Sequence, residues 1–234
     1  MHLLFIVIET RDSAAQRQAF VNAGHVVTSA RDAEAALEAV AAFGFDALVL
    51  VCAEGSAGIQ CLVRALRAAA RRIPIIVAVE HHYSGDVTTM IDSGADDLVA
   101  RARGVATLVA RVVALVRRAH GHGRARISID FVLEIDLALS QCRLAGHIIR
   151  TTPMEYRLIE ALALRRDTPV QRSRLLELIY GVENDASGKS IDRFVYNIRN
   201  KFSGTTPKRY FHTKAGAAML SAVPPQAVCT CLPS

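Results

Sequence analysis

Residues 189–202 read KSIDRFVYNIRNKF, and this stretch decides how the second half of the chain folds. Its apolar residues recur at the spacing of one face of an α-helix, so that face is expected to pack on a hydrophobic core. They are Ile191, Val195, Ile198 and Phe202. The opposite face is left for solvent or for a ligand. On or near it lie Lys189, Arg193, Tyr196, Asn197, Asn200 and Lys201.

The positive charge of the chain belongs to its second half. The 234 residues carry a formal net charge of +6. Residues 1–123 hold 12 Lys and Arg against 12 Asp and Glu, whereas residues 124–234 hold 16 against 10. The excess is dense over 189–214, where seven cations accompany one anion, Asp192. Such a surface suits a polyanion, although a merely solvated face would carry the same charge.

Two architectures follow one another along the chain. In the first half, short apolar strands alternate with amphipathic helices, which predicts a doubly wound (βα)5 domain of the α/β class with a parallel sheet. The predicted strands are 3–8, 26–29, 47–52, 75–79 and 97–100, and the predicted helices are 13–23, 33–43, 57–70, 86–93 and 104–118. In the second half, alternating apolar and polar residues over 127–150 predict antiparallel strands, and helices begin at Pro153, an α+β arrangement. We expect domains at 1–119 and 127–223, a linker at 120–126 and a flexible tail at 224–234.

Composition argues against several classes of protein. No apolar run approaches the roughly 18 residues of a membrane-spanning helix, and no secretory leader precedes the first strand, so we expect a cytoplasmic protein without a membrane partner. The cysteines lack the spacing of a structural zinc site and are expected to be reduced thiols. They are residues 52, 61, 142, 229 and 231. His120 and His122 lie among glycines and are interpreted as linker. We expect no metal, no cofactor and no catalytic residues.

The second half contains, in order, the motifs of a known DNA-binding domain. Thr152-Pro153-Met154-Glu155-Tyr156 combines a Thr cap with a first-turn Pro, and a second helix ends at Tyr180-Gly181. Segment 189–202 follows, and then Tyr210-Phe211-His212-Thr213 before Lys214-Ala215-Gly216-Ala217-Ala218. Over residues 127–221 the chain resembles the winged-helix domain of OmpR/PhoB-type response regulators. The resemblance implies a transcription factor that binds double-stranded DNA through a recognition helix at 189–202 and a wing hairpin.

The resemblance also implies positions that contact DNA. The family's contacts fall on Lys189, Tyr196, Asn197, Arg199 and Thr213. Together with the outer face of the predicted helix and the nearest wing cation, the candidate DNA-binding residues are Lys189, Arg193, Tyr196, Asn197, Arg199, Asn200, Lys201, Thr213 and Lys214. An Asn amide matches adenine and an Arg guanidinium matches guanine, but the sequence leaves open whether Arg193, Asn197 or Asn200 reads a base.

This chain departs from the family at several of these positions. Tyr196 and Asn197 replace two common arginines, and the wing lacks the usual Arg followed by Gly-x-Gly-Tyr. We therefore expect specificity to rest on residues 189–201 more than on the wing. Two alternatives stay open: Tyr196 and Arg199 pack or pair within the domain, and Asp192 orients a neighbouring cation.

The first half resembles a response-regulator receiver domain over residues 3–118, through Gly94-Ala95-Asp96-Asp97 and the helix that ends at Arg117-Arg118. Receiver phosphorylation requires an acceptor Asp, an acidic pair for Mg²⁺, a hydroxyl and a Lys. Those positions hold Val51, the pair Thr10 and Arg11, Val79 and Arg101. Valine has no nucleophilic oxygen, so we expect no aspartyl phosphorylation there. Glu9, Asp12 and Glu54 leave a displaced acidic site as an alternative, and Cys52 an oxidation sensor.

Receivers of this family pair through their fourth helix, fifth strand and fifth helix. Complementary charges on the corresponding segments are Asp92, Asp96 and Asp97 against Arg111, Arg117 and Arg118. They indicate a two-fold homodimer, unless they form ion pairs within one chain. The leading hypothesis is a phosphorylation-independent, dimeric DNA-binding regulator that also meets RNA polymerase. The alternatives are an interaction protein that sequesters a related regulator or a polymerase subunit, and an enzyme built on the β/α half.

Overall fold

A computed structural model describes residues 1–8, 13–53, 58–79, 87–182, 189–202, 210–214 and 216–221. The described chain forms two compact units, Met1–Gly121 and His122–Ser234. Each unit has its own sheet and helices, and each is described by itself below. Within the described ranges, no helix is long and apolar enough to cross a membrane.

The first unit is built on a parallel sheet of five strands in the order β2-β1-β3-β4-β5. The strands are β1 His2–Ile8, β2 Val26–Ala30, β3 Ala47–Cys52, β4 Ile75–Val79 and β5 Asp97–Ala100. The helices between and after them are α1 Ala14–Asn22, α2 Ala33–Ala42, α3 Ile59–Ala69, α4 Val87–Asp92 and α5 Val105–Ala119, with a 3₁₀ turn at Arg101–Arg103. The predicted (βα)5 fold is confirmed, and the element bounds differ from the sequence prediction by at most two residues.

The burial of the central strands explains why their sequence consists of continuous apolar runs. Every residue of β3 and β4 is buried, as expected for a parallel sheet with helices on both faces. α2 begins at Asp32, whose carboxylate accepts a hydrogen bond from the backbone N–H of Ala35. The strand order reverses between β1 and β3, and the carboxyl ends of the strands at such a point are where doubly wound folds place their sites.

The second unit begins with an antiparallel sheet and ends in a winged helix. Its first four strands are β6 Arg126–Ser128, β7 Leu133–Asp136, β8 Gln141–Leu144 and β9 His147–Ile149. α6 Pro153–Leu164, β10 Val170–Gln171, α7 Arg172–Tyr180 and α8 Lys189–Lys201 follow, and the hairpin β11 Phe211–Lys214 with β12 Ala217–Leu220 closes the described chain. β12 pairs with both β10 and β11, so the hairpin is the wing. The α+β winged-helix prediction is confirmed.

Thr152 starts α6 as the sequence predicts. Its hydroxyl accepts from the backbone N–H of Glu155, and the Glu155 carboxylate accepts from the backbone N–H of Thr152, with Pro153 at the first helical position. This reciprocal cap matters for function because Glu155 makes a further contact to α8, described below.

The segment between the units is less free than a glycine-containing linker suggests. His120 Nε2 lies 3.9 Å from the carboxylate of Asp46, which is almost fully buried within the first unit. His122 Nε2 lies 3.0 Å from the carbonyl oxygen of Leu164 in the second unit. Each histidine therefore contacts a residue of its own unit, and the linker at 120–126 stays a prediction.

Candidate nucleic-acid interface

Helix α8 has one fully buried face, as the spacing of its apolar residues predicts. Ile191, Val195, Ile198 and the following Phe202 are all at most 2% exposed. The ring of Phe202 packs against that of Phe211 on β11, with centroids 5.4 Å apart. Phe194 packs against Tyr180 at the end of α7, with ring centroids 6.5 Å apart. The helix is thus anchored on both α7 and the wing.

The outer face of α8 is accessible. Arg193, Tyr196 and Asn200 are exposed, and 64% of Tyr196 is accessible although it is a large aromatic residue. Asn197 is half-buried beside them. Lys189 begins the helix, but its side chain lies outside the described part of the structure. These residues offer a guanidinium, two amides and a phenol on one surface, which are groups that can hydrogen-bond base edges and phosphates.

Arg199 points away from that surface and holds the wing. Its Nε and Nη2 donate to the carbonyl oxygen of Phe211 at 3.0 and 2.8 Å, and Nη2 also donates to the hydroxyl of Thr213 at 3.2 Å. Three of the five donors of a guanidinium are therefore engaged within the domain. Both residues connect α8 to β11, which agrees with the alternative that Arg199 pairs within the domain; their contact with DNA stays a prediction.

Lys201 is likewise engaged within the domain. Its Nζ lies 2.6 Å from the carboxylate of Glu155, which is only 3% exposed. Burial alone would raise the pKa of Glu155, but hydrogen bonds from Lys201 and the backbone of Thr152 outweigh it and lower the pKa. Lys201 thus forms an ion pair between the end of α8 and the start of α6, and its assignment to DNA contact stays a prediction.

Arg172, at the start of α7, is a residue that the sequence analysis missed. Its guanidinium forms an ion pair with Asp192 on α8, and its backbone N–H donates to the carbonyl oxygen of Gly216 in the wing turn at 3.0 Å. Asp192 thus orients a neighbouring cation, as one of the alternatives proposed. Arg172 is far from α8 in sequence, so its proximity to α8 could have been predicted only from the pairing of β10 with the wing.

The wing is short, and small residues follow Lys214 in the sequence as far as Ala218. Thr213 pairs with Ala218 and Lys214 with Ala217, and Gly216 turns the chain with a φ of 79°, which favours glycine. Ala218 is buried against the domain. Ala215 and the side chain of Lys214 lie outside the described part. The described wing residues therefore support α8 through their contacts with Arg199.

The region that corresponds to the receiver phosphoacceptor is apolar. Val51 is completely buried and pairs with Val7 of β1 and Ala78 of β4, and Val79 is 2% exposed. Thr10 and Arg11, and the acidic Glu9, Asp12 and Glu54, lie outside the described residues. Cys52 is buried at the end of β3.

Arg101 occupies the position of the receiver lysine and contacts α1. With the amide oxygen of Gln16 oriented toward it, the guanidinium donates from Nε and Nη2 at 2.9 Å each. Gln16 is 8% exposed, a polar residue within the helix face that covers the sheet. No sequence pattern predicted this partner, because an isolated Gln in a helix is normally solvated.

Several charges assigned to the receiver dimer face form pairs within one chain. Arg111 donates to Asp97 at 2.8 Å, and Arg67 to Asp96 at 2.5 Å. These pairs agree with the alternative of ion pairs within one chain, and the contact between chains stays a prediction. Among the described residues, Asp92, Arg117 and Arg118 form no ion pair.

No group of three or more His, Cys, Asp or Glu side chains in the described ranges is arranged to hold a metal ion. Cys142, between β7 and β9, has its pKa raised to about 12, mainly by burial and also by the charge of Glu160. Such a thiol stays protonated at neutral pH and is unreactive.

Comparison with known proteins agrees with this geometry. Residues 146–218 match the family model described as "Transcriptional regulatory protein, C terminal". The response regulator MprA of Mycobacterium leprae is 30% identical over 206 residues, which cover 86% of this chain and 90% of MprA. BasR of Escherichia coli is 30% identical over 177 residues, 75% of this chain and 77% of BasR. PrrA of Mycobacterium leprae is 30% identical over 161 residues, 68% of this chain and 69% of PrrA.

These relatives are transcriptional response regulators and not enzymes. The matches extend over both units and include the recognition helix and the wing. The chain belongs to the OmpR/PhoB-type response regulators.

Proposed function

We propose that this response regulator is a sequence-specific, double-stranded DNA-binding protein that acts as a dimer and without aspartyl phosphorylation. The observation that carries the proposal is that some side chains of α8 anchor the helix within the domain while others are exposed on its outer face. Arg199 and Lys201 make contacts that fix the helix to the wing and to α6, although Lys201 is itself exposed. Arg193, Tyr196 and Asn200 are exposed on the outer face of the helix. A helix held this firmly can present its outer side chains to a major groove about 12 Å wide.

We assign base reading to the middle of this exposed face. Arg193 has the bidentate geometry that matches guanine, and the amides of Asn197 and Asn200 match adenine. Tyr196 would pack against a base edge or a phosphate. Arg172, Lys189 and Lys214 supply phosphate contacts, which position the helix without reading sequence.

The apolar phosphoacceptor region supports independence from phosphorylation. Val51 and Val79 replace the nucleophile and the hydroxyl with methyl groups, and both are buried. Because Val51 has no side-chain oxygen, no acyl phosphate can form at this position. The regulator would then respond to its own abundance or to a ligand, and it would act in the cytoplasm, where its DNA is.

The charges of the receiver unit support a dimer in a reduced form. Asp92 on α4 and Arg118 on α5 are exposed and form no ion pair among the described residues, so they remain for contacts between chains. Val87 and Ile91 of α4 are 49% and 41% exposed and add apolar area to the same face. A two-fold dimer would place two α8 helices on repeated half-sites, and RNA polymerase would meet the assembly at the promoter.

Selection of bound fragments from genomic DNA by the full-length protein tests the proposal. We expect an enriched motif with repeated half-sites, and the same motif after incubation with a small-molecule phosphodonor. The intact mass should not increase by a phosphoryl group. Absence of any enriched motif would refute sequence-specific DNA recognition. An increase in mass by a phosphoryl group would refute the claim that the protein is not phosphorylated.

A second candidate function is sequestration of a related regulator or polymerase subunit without DNA binding. It is favoured by the contacts that Arg199 and Lys201 make within the domain and by the small residues at the tip of the wing, because both reduce the cations available to DNA. The salt dependence of affinity separates the two. Each neutralised phosphate contributes about −0.9 to the slope of log affinity against log salt concentration, so a DNA-binding protein gives a slope of several units.

A further inference from the structure

The first unit carries an arginine-lined pocket that neither the phosphoacceptor region nor the recognition helix explains. It has a volume of about 580 Å³ and lies between the end of α3, the start of β4 and the last turn of α5. Four arginines line it, Arg67, Arg71, Arg72 and Arg118, together with a single acidic residue, Asp96. Both the size and the positive charge of this pocket are suited to a small anionic ligand.

Arg67 and Asp96 form the fixed wall of the pocket. The guanidinium of Arg67 donates to Asp96 and to the carbonyl oxygens of Gly94 and Ile73, at 2.5, 3.0 and 2.8 Å. Asp96 also accepts from the backbone N–H of Ile75 at 2.7 Å. This pair is neutral overall and structurally committed, because it ties α3 to the ends of two strands.

The other three arginines remain available. Arg71, Arg72 and Arg118 are exposed, and none of them forms an ion pair with any described residue. Arg118 makes one hydrogen bond, from Nε to the carbonyl oxygen of Ala114 in its own helix at 3.3 Å. The pocket therefore has a net charge of about three positive units at its rim, and like charges held together are unfavourable unless an anion joins them.

The floor of the pocket is apolar. Pro74 is buried, Leu115 is half-buried, and Ala119 completes this side. Known small-molecule pockets have volumes of roughly 300–1,000 Å³ and combine apolar lining with a few placed polar groups. A DNA duplex cannot insert into a concavity of this size, whereas a small organic anion fits its dimensions.

We propose that this pocket binds a phosphorylated small molecule of the nucleotide class. Arginine is suited to the phosphates, because its planar guanidinium donates paired hydrogen bonds to phosphate oxygens. The flat apolar base would lie on Leu115 and Pro74. The three charges at the rim match the two to four negative charges of a nucleotide better than they match a single carboxylate.

The location of the pocket gives this ligand a regulatory role, a step that rests on the proposed dimer. Arg118 belongs both to the pocket and to the proposed contact between chains. A nucleotide bound to Arg118 changes the charge of that face, so occupancy and self-association are coupled. Such a ligand would supply the input that the apolar phosphoacceptor region cannot.

Isothermal titration of the full-length protein with ATP, GTP and inorganic pyrophosphate, in the absence of DNA, tests the site. We expect at least one nucleotide to bind more tightly than pyrophosphate, because only the nucleotide uses the apolar floor. The Arg71→Ala/Arg72→Ala variant should bind it about tenfold more weakly or worse. Arg64→Ala is the matched control, since Arg64 is exposed on α3 but does not line the pocket, and it should leave binding unchanged.

Arg71→Lys/Arg72→Lys separates paired hydrogen bonding from charge and guards against misfolding of the alanine variant. We expect intermediate affinity, with the same thermal unfolding midpoint as the wild type. The proposal is overturned if neither nucleotide binds, if pyrophosphate binds as tightly as the nucleotide, or if the Arg64→Ala and Arg71→Ala/Arg72→Ala proteins lose affinity equally. None of these outcomes bears on DNA recognition, which the fragment selection measures.

Discussion

Lys201 Nζ lies 2.6 Å from the carboxylate of Glu155, and this contact joins the last turn of the recognition helix to the cap of α6. Glu155 is 3% exposed, so removal of Lys201 leaves a buried carboxylate without its cation. We expect Lys201→Ala to lower the free energy of unfolding by about 1–3 kcal/mol, less than for a fully buried pair because Lys201 is itself partly exposed. Urea unfolding measures the loss. Arg193→Ala, on the same helix but outward-facing, is the control and should change stability little.

The same pair gives stability a defined pH dependence. The pKa of Glu155 is lowered in the folded protein, so its contribution is present above the ordinary value of 4.5 and is lost as the pH falls through the lower folded pKa. The difference in unfolding free energy between wild type and Lys201→Ala should be largest near neutral pH and should shrink below that value. A difference that stays constant down to acid pH would contradict this account.

Arg199 and Arg193 lie on one helix, but we expect their substitutions to act differently. Arg199→Ala removes three hydrogen bonds to β11 and should lower both stability, by about 1–2 kcal/mol, and DNA affinity, through a loosened wing. Arg193→Ala should keep stability and weaken binding to the selected motif by about 1–3 kcal/mol. Thermal unfolding and binding to labelled duplexes are measured side by side. Equal losses of stability in the two variants would contradict the assignment of Arg199 to anchoring the helix and of Arg193 to binding DNA.

The fold was predictable from the sequence to a greater extent than the site. Periodicity located the strands because β3 and β4 are buried throughout and the helices are amphipathic. It also identified the buried face of α8. It could not show that Arg199 and Lys201 bind acceptors within the domain, because these acceptors, the carbonyl of Phe211 and the carboxylate of Glu155, come from other parts of the chain. Helical spacing gives a residue's face, whereas its partner depends on tertiary packing.

The phosphoacceptor position should resist restoration. Val51 is fully buried, so Val51→Asp places a carboxylate among the side chains of β1, β3 and β4. We expect a loss of several kcal/mol of stability at neutral pH, partly regained at low pH when the carboxyl is protonated. Val51→Thr, which introduces only a hydroxyl, should cost about 1–3 kcal/mol. A Val51→Asp protein as stable as wild type would mean that this strand end is accessible.

One residue of the turn between β6 and β7, Phe131, can be replaced in a way that should stabilise the protein. Phe131 is 97% exposed and has a φ of 65°, a left-handed conformation that costs a non-glycine residue about 1–2 kcal/mol. Asn tolerates that conformation, so Phe131→Asn should raise the free energy of unfolding by about 0.5–1 kcal/mol. Leu139→Asn is the control, because Leu139 is 59% exposed but is not among the residues with positive φ. It should be neutral.

Asp192 is an anion on the face of α8 for which we propose DNA contact. Its ion pair with Arg172 also engages a cation to which we assign a phosphate contact. Asp192→Asn removes the repulsion and releases Arg172. We expect affinity to rise several-fold on every sequence alike, with a salt slope steeper by about one unit. Asp167→Asn serves as the control, since it removes an exposed negative charge that pairs with Arg166 and lies outside α8. A fall in affinity for Asp192→Asn alone would mean instead that Asp192 holds Arg172 in the position from which it binds phosphate.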